Sequence, residues 1–257
     1  MDIVVVSLVA LVASALTLFS GFGLGTLLMP VVAIFFPVEV AIGITAIVHL
    51  ANNAFKFFLL GKNAHFSTVL RFGIPAVLFA FLGALLLSWL ANISGGFSYS
   101  AFGEEVEVEP IKLIVGILIL VFVGLELWPR FAEISIDRKY LPLGGVISGF
   151  FGGLSGHQGA FRSMFLIKAG LTKEQFVATG VILAVLVDLS RLTIYGWDVA
   201  AARTQLDWPL IVSACLAAFA GAYFGAKFVK KITIRSIQLI VSAMLAVVAV
   251  GLISGLL

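Results

Sequence analysis

From Ser67 to Leu90 the chain carries a single charged side chain, Arg71, and comparable apolar runs recur along most of its 257 residues. A helix that crosses a bilayer needs about 20 mostly apolar residues, and every backbone polar group in hydrocarbon must be satisfied inside the protein. The runs therefore predict helices packed side by side in a membrane. Composition agrees, with 61% hydrophobic residues, 11% charged residues and a mean hydropathy of +1.18, far from an ordinary soluble domain. The alternating ten-residue segments of a transmembrane barrel are not seen.

Other classes are excluded on similar grounds. No basic cluster with interleaved aromatics lies outside the apolar runs, so no nucleic-acid partner is indicated. Cys215 is the one cysteine and can make neither an internal disulfide nor a Cys-rich metal site. The start, Met1-Asp2, has no basic residue ahead of its apolar stretch and reads as the first membrane segment rather than a cleaved signal. Nothing in the sequence asks for a cofactor or a metal.

Two stretches interrupt this pattern. Phe150 to Lys168 places Gly152, Gly153, Gly156 and Gly159 beside His157, Gln158, Arg162 and Ser163 in an otherwise apolar setting. Glycines free the backbone, and the polar groups are costly in hydrocarbon without partners, so this stretch is expected to face protein or water. Residues 3–36 are broken in the same way at Gly21, Gly23 and Gly25. The pieces on either side would span roughly 27 and 20 Å in the first case and about 22 Å each in the second, too short for two comfortable crossings.

The remaining helices are expected at Pro37 to Leu60, Ser67 to Leu90, Pro110 to Trp128, Lys173 to Gly196, Trp208 to Val229 and Arg235 to Leu257. Asn92 to Glu109 reads as an acidic loop and Arg130 to Lys139 as a mixed-charge connector between halves. The organisation is then a first transmembrane repeat at 1–128, a connector at 129–140 and a second repeat at 141–257. Overlaying the halves sets Phe19-Ser-Gly-Phe on Phe151-Gly-Gly-Leu, then Asn53, Lys56 and Gly61 on Asp188, Arg191 and Gly196, then Phe81-Leu-Gly-Ala on Phe219-Ala-Gly-Ala. Small insertions in order are what a diverged duplication leaves.

Charge placement orients the halves. Short cytoplasmic loops concentrate Lys and Arg. Lys62 with Arg71, Arg130 with Arg138 and Lys139, and Lys227 with Lys230, Lys231 and Arg235 are placed inside, and the loop at Glu104 to Glu109 outside. Counting crossings from these points sends the helix from Pro37 inward and the helix from Lys173 outward. The expected fold is thus an all-α polytopic membrane protein of two inverted repeats, each a glycine-broken hairpin plus three transmembrane helices, about 8 to 10 membrane segments in total. The N-terminus falls outside and the location is the cell (inner or plasma) membrane.

Inverted repeats with interrupted segments point to a secondary transporter whose site lies between the halves near the midplane. The membrane runs hold His49, Lys56, His157, Arg162, Asp188 and Arg191, with Glu126 near an interface, so bases outnumber acids. Helix N-termini after the glycine breaks add about half a positive charge each. The centre reads as an anion site. Candidate substrate-binding residues are Gly21, Gly23, Gly25, Gly153, Gly156, His157, Gln158, Arg162 and Ser163 from the breaks, with His49, Asn53, Lys56, Asp188 and Arg191 from the adjoining helices. Thr45, His49, Asn53 and Lys56 share one helix face by their spacing of four, four and three. Each has a plainer role open to it. Lys56 and Arg191 sit about one turn from helix ends and are placed equally well to snorkel; Asp188 is placed to neutralise Arg191 at i, i+3 or to couple protons; Asn53 and His49 are suited to interhelical hydrogen bonds.

These residues resemble the TauE/SafE sulfite exporters, also called the 4-toluene sulfonate uptake permease family. The marks are Gly21-Phe-Gly-Leu-Gly-Thr-Leu-Leu-Met-Pro30, Gly152-Gly-Leu-Ser-Gly156, the Gly-Lys-Asn turn at 61–63, and Asp188-Leu-Ser-Arg191 closing with Tyr195-Gly196. The resemblance covers essentially the whole chain. It departs after Gly156, where His157-Gln-Gly-Ala-Phe-Arg-Ser replaces a glycine-rich tail running to a proline. The resemblance implies export or uptake of a sulfur-containing anion such as sulfite or an organosulfonate, coupled to an ion gradient. A coupling proton or cation and a homo-oligomer are both left open. Two rival readings are a non-transporting assembly or sensor protein and a membrane-embedded enzyme; the latter lacks a His-x-x-x-His or paired-carboxylate arrangement in the membrane runs.

Overall fold

The computed structural model describes residues 2–20, 24–93, 95–101, 103–201, 206–228 and 234–257. The first half holds α1 (Asp2–Ser20), α2 (Leu24–Val32), α3 (Val38–Leu60), α4 (Phe66–Ala91), strands β1 (Phe97–Ala101) and β2 (Glu104–Val108), and α5 (Pro110–Leu127). Short α6 (Pro129–Glu133) and a 3-10 turn at Arg138–Tyr140 form the link. The second half holds α7 (Leu141–Ser155), α8 (Gly159–Leu166), α9 (Lys173–Ala201), α10 (Trp208–Phe228) and α11 (Ile234–Ile253).

Boundaries follow the local chemistry. Pro37 precedes α3, Pro110 opens α5 behind Glu109, and Pro142 lies in the first turn of α7. Before α4 the His65 ring accepts from the Thr68 amide, supplying the cap that the first turn lacks. Among the described residues five stretches are long and apolar enough to cross a membrane: Val40–Leu59, Phe66–Ala91, Pro110–Leu127, Lys173–Gly196 and Trp208–Gly225. By contrast α2 has 9 residues and α8 has 8, about 14 and 12 Å of helix against a hydrocarbon core of about 30 Å. These two are the short arms of the glycine-broken segments.

Along α4 the side chains of Phe66, Leu70, Ile74, Leu78, Leu82, Leu85 and Trp89 are exposed. Their spacing of three and four marks one face, which in a membrane meets lipid. The opposite face packs on α7. There Gly145, Gly149 and Gly153 lie against the Phe72, Ala76 and Ala80 carbonyls, and Gly83 of α4 returns the contact against Phe150. Register rises together on both helices, so they run parallel. Small residues let backbones approach this closely, which is how membrane helices gain packing without a hydrophobic driving force.

The same arrangement recurs between α1 and α10. Ser7 and Ser213 hydroxyls meet at 2.8 Å, Gly221 lies against the Leu11 carbonyl and Gly225 against Ala15, again with both registers rising together. In contrast α3 and α9 run antiparallel, since His49 meets Asp188 while the His65 amide beyond α3 donates to Thr179 at 3.0 Å. Antiparallel packing also joins α5 to α11, where Gly116 lies against Ala249 and Ile253 and, one end further, Glu107 lies against Gly255. At the base of the second hairpin Ile136 N donates to Met164 O at 2.9 Å, so the α7–α8 segment begins and ends at one side.

One expected loop is ordered differently. Residues 97–108 form an antiparallel strand pair, with Phe97 opposite Val108 and Tyr99 opposite Val106. Successive residues point to opposite faces, so Phe97, Tyr99, Val106 and Val108 share one face and Ser98, Ser100, Glu105 and Glu107 the other. The all-α expectation is corrected by this small sheet, which the count of glutamates had obscured. Tyr99 Oη donates to the Ser254 carbonyl at 2.6 Å, pinning the hairpin to the end of α11.

Filling the α4–α7 seam should separate the two backbones. Gly149→Leu is expected to destabilise the protein by about 1–3 kcal/mol or more, read as a lowered midpoint of thermal unfolding in detergent, while Leu78→Ala on the lipid face should change it little.

Candidate functional site

The candidate site lies where α3 and α9 cross beside the α7–α8 break. His49, Asn53 and Lys56 of α3 are all buried, as are Asp188 and Arg191 of α9. The Asp188 carboxylate is wholly buried and takes two partners: His49 Nδ1 at 2.5 Å on Oδ2 and Arg191 Nη2 at 2.9 Å on Oδ1. Asn53 Nδ2 donates to the His49 carbonyl at 3.0 Å and lies 3.2 Å from each ring nitrogen. The i, i+3 pair expected within α9 is therefore present, and α3 adds a third member to it.

Arg191 is 2% exposed, so its guanidinium does not reach the lipid headgroups. It extends instead to the tip of the break. There Gly156 ends α7 with φ +81°, a left-handed conformation that glycine adopts without steric cost, and its N–H bonds to the Gly152 carbonyl. A Cβ at Gly156 would stand 2.8 Å from Arg191 Nη1. Glycine at 156 thus serves both the turn and the room for the guanidinium. Arg191 Nε is buried without a hydrogen-bond partner.

A second level of the cluster holds Lys56, Asn52, Gln158 and Arg162. Lys56 is 5% exposed and therefore turned inward. With its amide oxygen facing the lysine, Asn52 accepts from Lys56 Nζ at 3.1 Å and its amide nitrogen donates to the Ala218 carbonyl at 3.3 Å. Arg162 Nη1 donates to Gln158 Oε1 at 3.3 Å, and its Nε lies beside Gly180 of α9. The two cations repel one another across this space. Among the described residues neither has a carboxylate within ion-pair distance. Gln158 Nε2, a further donor, is buried without a partner.

Other candidates fall elsewhere. Gly25 is buried at the start of α2 facing Thr45 and the His49 ring, so the first break does approach the cluster. Gly21 and Gly23 lie outside the described residues. Gly153 belongs to the α4–α7 seam, where its carbonyl also accepts from Tyr195 Oη. Ser163 Oγ bonds back to the Gly159 carbonyl at 3.0 Å. His157 is turned away from Arg162 and stacks on Phe122 of α5, with ring centroids 4.7 Å apart. Asn52 escaped the sequence reading although it fits the stripe better than Asn53: Thr45, His49, Asn52 and Lys56 are spaced four, three and four.

Membrane-length apolar helices around a buried, predominantly cationic cluster define a multi-pass membrane protein. The chain belongs to the sulfite exporter TauE/SafE family, whose model matches residues 6–252. That family is one of membrane transporters. Comparison with curated proteins and with solved structures returned no match.

Removing the carboxylate should expose the electrostatic role of the triad. Asp188→Ala leaves Arg191 buried and uncompensated, and a loss of about 3–5 kcal/mol is expected. In Asp188→Leu/Arg191→Leu the charge is removed from both sides, and part of that loss should return in the same thermal-unfolding measurement.

Proposed function

We propose that the protein is a secondary transporter of a small sulfur-containing anion, sulfite or an organosulfonate, bound between two inverted repeats near the membrane midplane. The observation that carries this reading is the pair Lys56 and Arg162, close enough to repel one another and without a carboxylate at ion-pair distance among the described residues, while Asp188 is already engaged by His49 and Arg191. A buried Lys56 beside a half-buried Arg162, with no carboxylate at ion-pair distance among the described residues, is unfavourable in a low-dielectric interior, and an anion that enters relieves it. Gln158 Nε2 adds a neutral donor to the same space. The anion is cradled by Lys56, Asn52, Gln158 and Arg162; the His49–Asp188–Arg191 triad holds the helices that present them.

The repeat architecture is supported by the packing directions. If residues 1–128 and 141–257 are equivalent, α1 corresponds to α7, α3 to α9, α4 to α10 and α5 to α11. Equivalent helices in inverted repeats run in opposite directions, as α3 does to α9 and α5 to α11. The parallel seam of α4 with α7 then has its counterpart in the parallel seam of α10 with α1. Both short arms, α2 and α8, begin at the glycine breaks, and by the positive-inside rule the basic turns favour a start of α7 inside and an N-terminus outside.

Radiolabelled sulfite uptake into proteoliposomes tests the function. Lys56→Ala and Arg162→Ala should each lower flux by roughly tenfold to a hundredfold, the scale of one lost charge-assisted hydrogen bond, while leaving the unfolding midpoint near that of the wild type. Wild-type flux in both variants would remove the cations from the pathway. The topology is tested separately by thiol labelling in a Cys215→Ser background. Cysteines introduced at Lys62 and Arg138 should react from one face and a cysteine at Gly103 from the other; reaction of all three from one face would refute the crossing pattern.

A further inference from the structure

The turn at residues 156–158 touches three different surroundings in succession. Gly156 lies against Arg191, Gln158 bonds Arg162, and His157 between them points into a separate pocket on the other side of the hairpin. Thr26, Phe122, Glu126, Phe131, His157 and Phe161 line that pocket. It is distinct from the anion cradle, and the proposed function leaves its two ionisable groups unused.

His157 is fixed there in one tautomer. Its Nδ1 lies 3.1 Å from the Ser155 carbonyl, which can only accept, so Nδ1 carries the hydrogen and Nε2 carries the lone pair. The ring is clamped flat against Phe122, and Nε2 is buried with no partner. Glu126 stands in the same pocket, one residue before the end of α5, and among the described residues no hydrogen bond or ion pair holds its carboxylate. Among the described residues, the charged and titratable groups around the pair are few. From α9 come Arg191 and Asp188, paired with each other; from α8 comes Arg162, turned to Gln158; from α6 come Arg130 and Glu133, both exposed; α2 and α7 bring none.

A free carboxylate and an unused imidazole lone pair in an apolar pocket suit one small cation. Metal ions ask for more, typically about four to eight donors, and among the described residues no three His, Cys, Asp or Glu side chains come together. A proton needs only one oxygen and a neighbour to receive its hydrogen bond. We propose that this pocket is a proton-loading site, in which a Glu126 carboxylate oxygen takes a proton from water and later returns it, and His157 Nε2 is the fixed acceptor that orders the protonated carboxyl. The inference rests on the anion-transport reading, since it assigns the coupling ion of that same transporter. Coupling passes through the turn itself: a change in the pocket that moves His157 also moves Gly156 and Gln158, which hold Arg191 and Arg162.

The test uses the full-length protein in proteoliposomes with labelled sulfite as the probe. Wild type is expected to accumulate sulfite at least about tenfold more under an imposed pH gradient than without one, the equivalent of about 1.4 kcal/mol. Glu126→Gln should exchange labelled for unlabelled sulfite at the wild-type rate yet no longer respond to the gradient, and Glu126→Asp should recover part of the response. A Glu126→Gln protein that still follows the pH gradient overturns the inference, as does one that loses exchange while remaining folded. If wild type neither takes up nor exchanges sulfite, the transport reading itself fails. The proton site is then judged by infrared difference spectra across a pH titration: a protonated-carboxyl C=O band missing from Glu126→Gln supports it, and an identical band in both proteins refutes it.

Discussion

A carboxylate buried among membrane helices needs partners where it stands, and Asp188 is held from two directions. Arg191 reaches it from one turn along α9 and His49 from α3, so a single side chain ties equivalent-looking helices of the two halves together. Arg191 in turn lies against Gly156. The tip of the broken segment is thereby placed by the same charge network that fixes the helix crossing. Because this network engages Asp188, Lys56 and Arg162 have no carboxylate at ion-pair distance among the described residues, and in the proposed function an anion meets that positive charge.

The rest of the scaffold makes room for that arrangement. Backbone-to-backbone seams of α4 with α7 and of α1 with α10 draw four helices tightly together, which leaves α3, α9 and the two short arms to fill the space between them. Neither short arm is long enough to cross, and each begins at a break in the interior, where polar backbone needs partners. Gly156 and the Ser148 hydroxyl, which donates to the Gln158 carbonyl, supply some of those partners locally. Gln158 Nε2 and Arg191 Nε are buried donors left without a protein partner, and the proposed function offers them to the anion.

Much of this was legible in the sequence because hydrocarbon imposes strict rules. Apolar runs gave the helix limits of α3, α4, α5 and α9 to within a few residues, and the four-residue polar stripe correctly marked the inward face of α3. Lys56 and Arg191 were the ambiguous cases: their distance from the helix ends fits snorkelling as well as burial, and only packing, which sets the rotation of each helix, turns them inward. Spacing also could not say which way His157 points, since one residue of turn separates it from Gln158 yet sends it to the opposite side of the hairpin. The strand pair at residues 97–108 was hidden by its run of glutamates, of which Glu105 and Glu107 occupy the exposed face while the alternating Phe97, Tyr99, Val106 and Val108 share the other.

The central claim is that an anion completes the charge balance of the cluster, and the thermal unfolding of purified protein with added sulfite tests it most directly. A ligand bound only by the folded state stabilises it by an amount that grows with concentration over Kd. The unfolding midpoint of the wild type should climb steadily as sulfite is raised at constant ionic strength, with no such climb in Lys56→Ala/Arg162→Ala. An equal climb in both proteins, or none in the wild type with sulfite or any organosulfonate, would contradict the account.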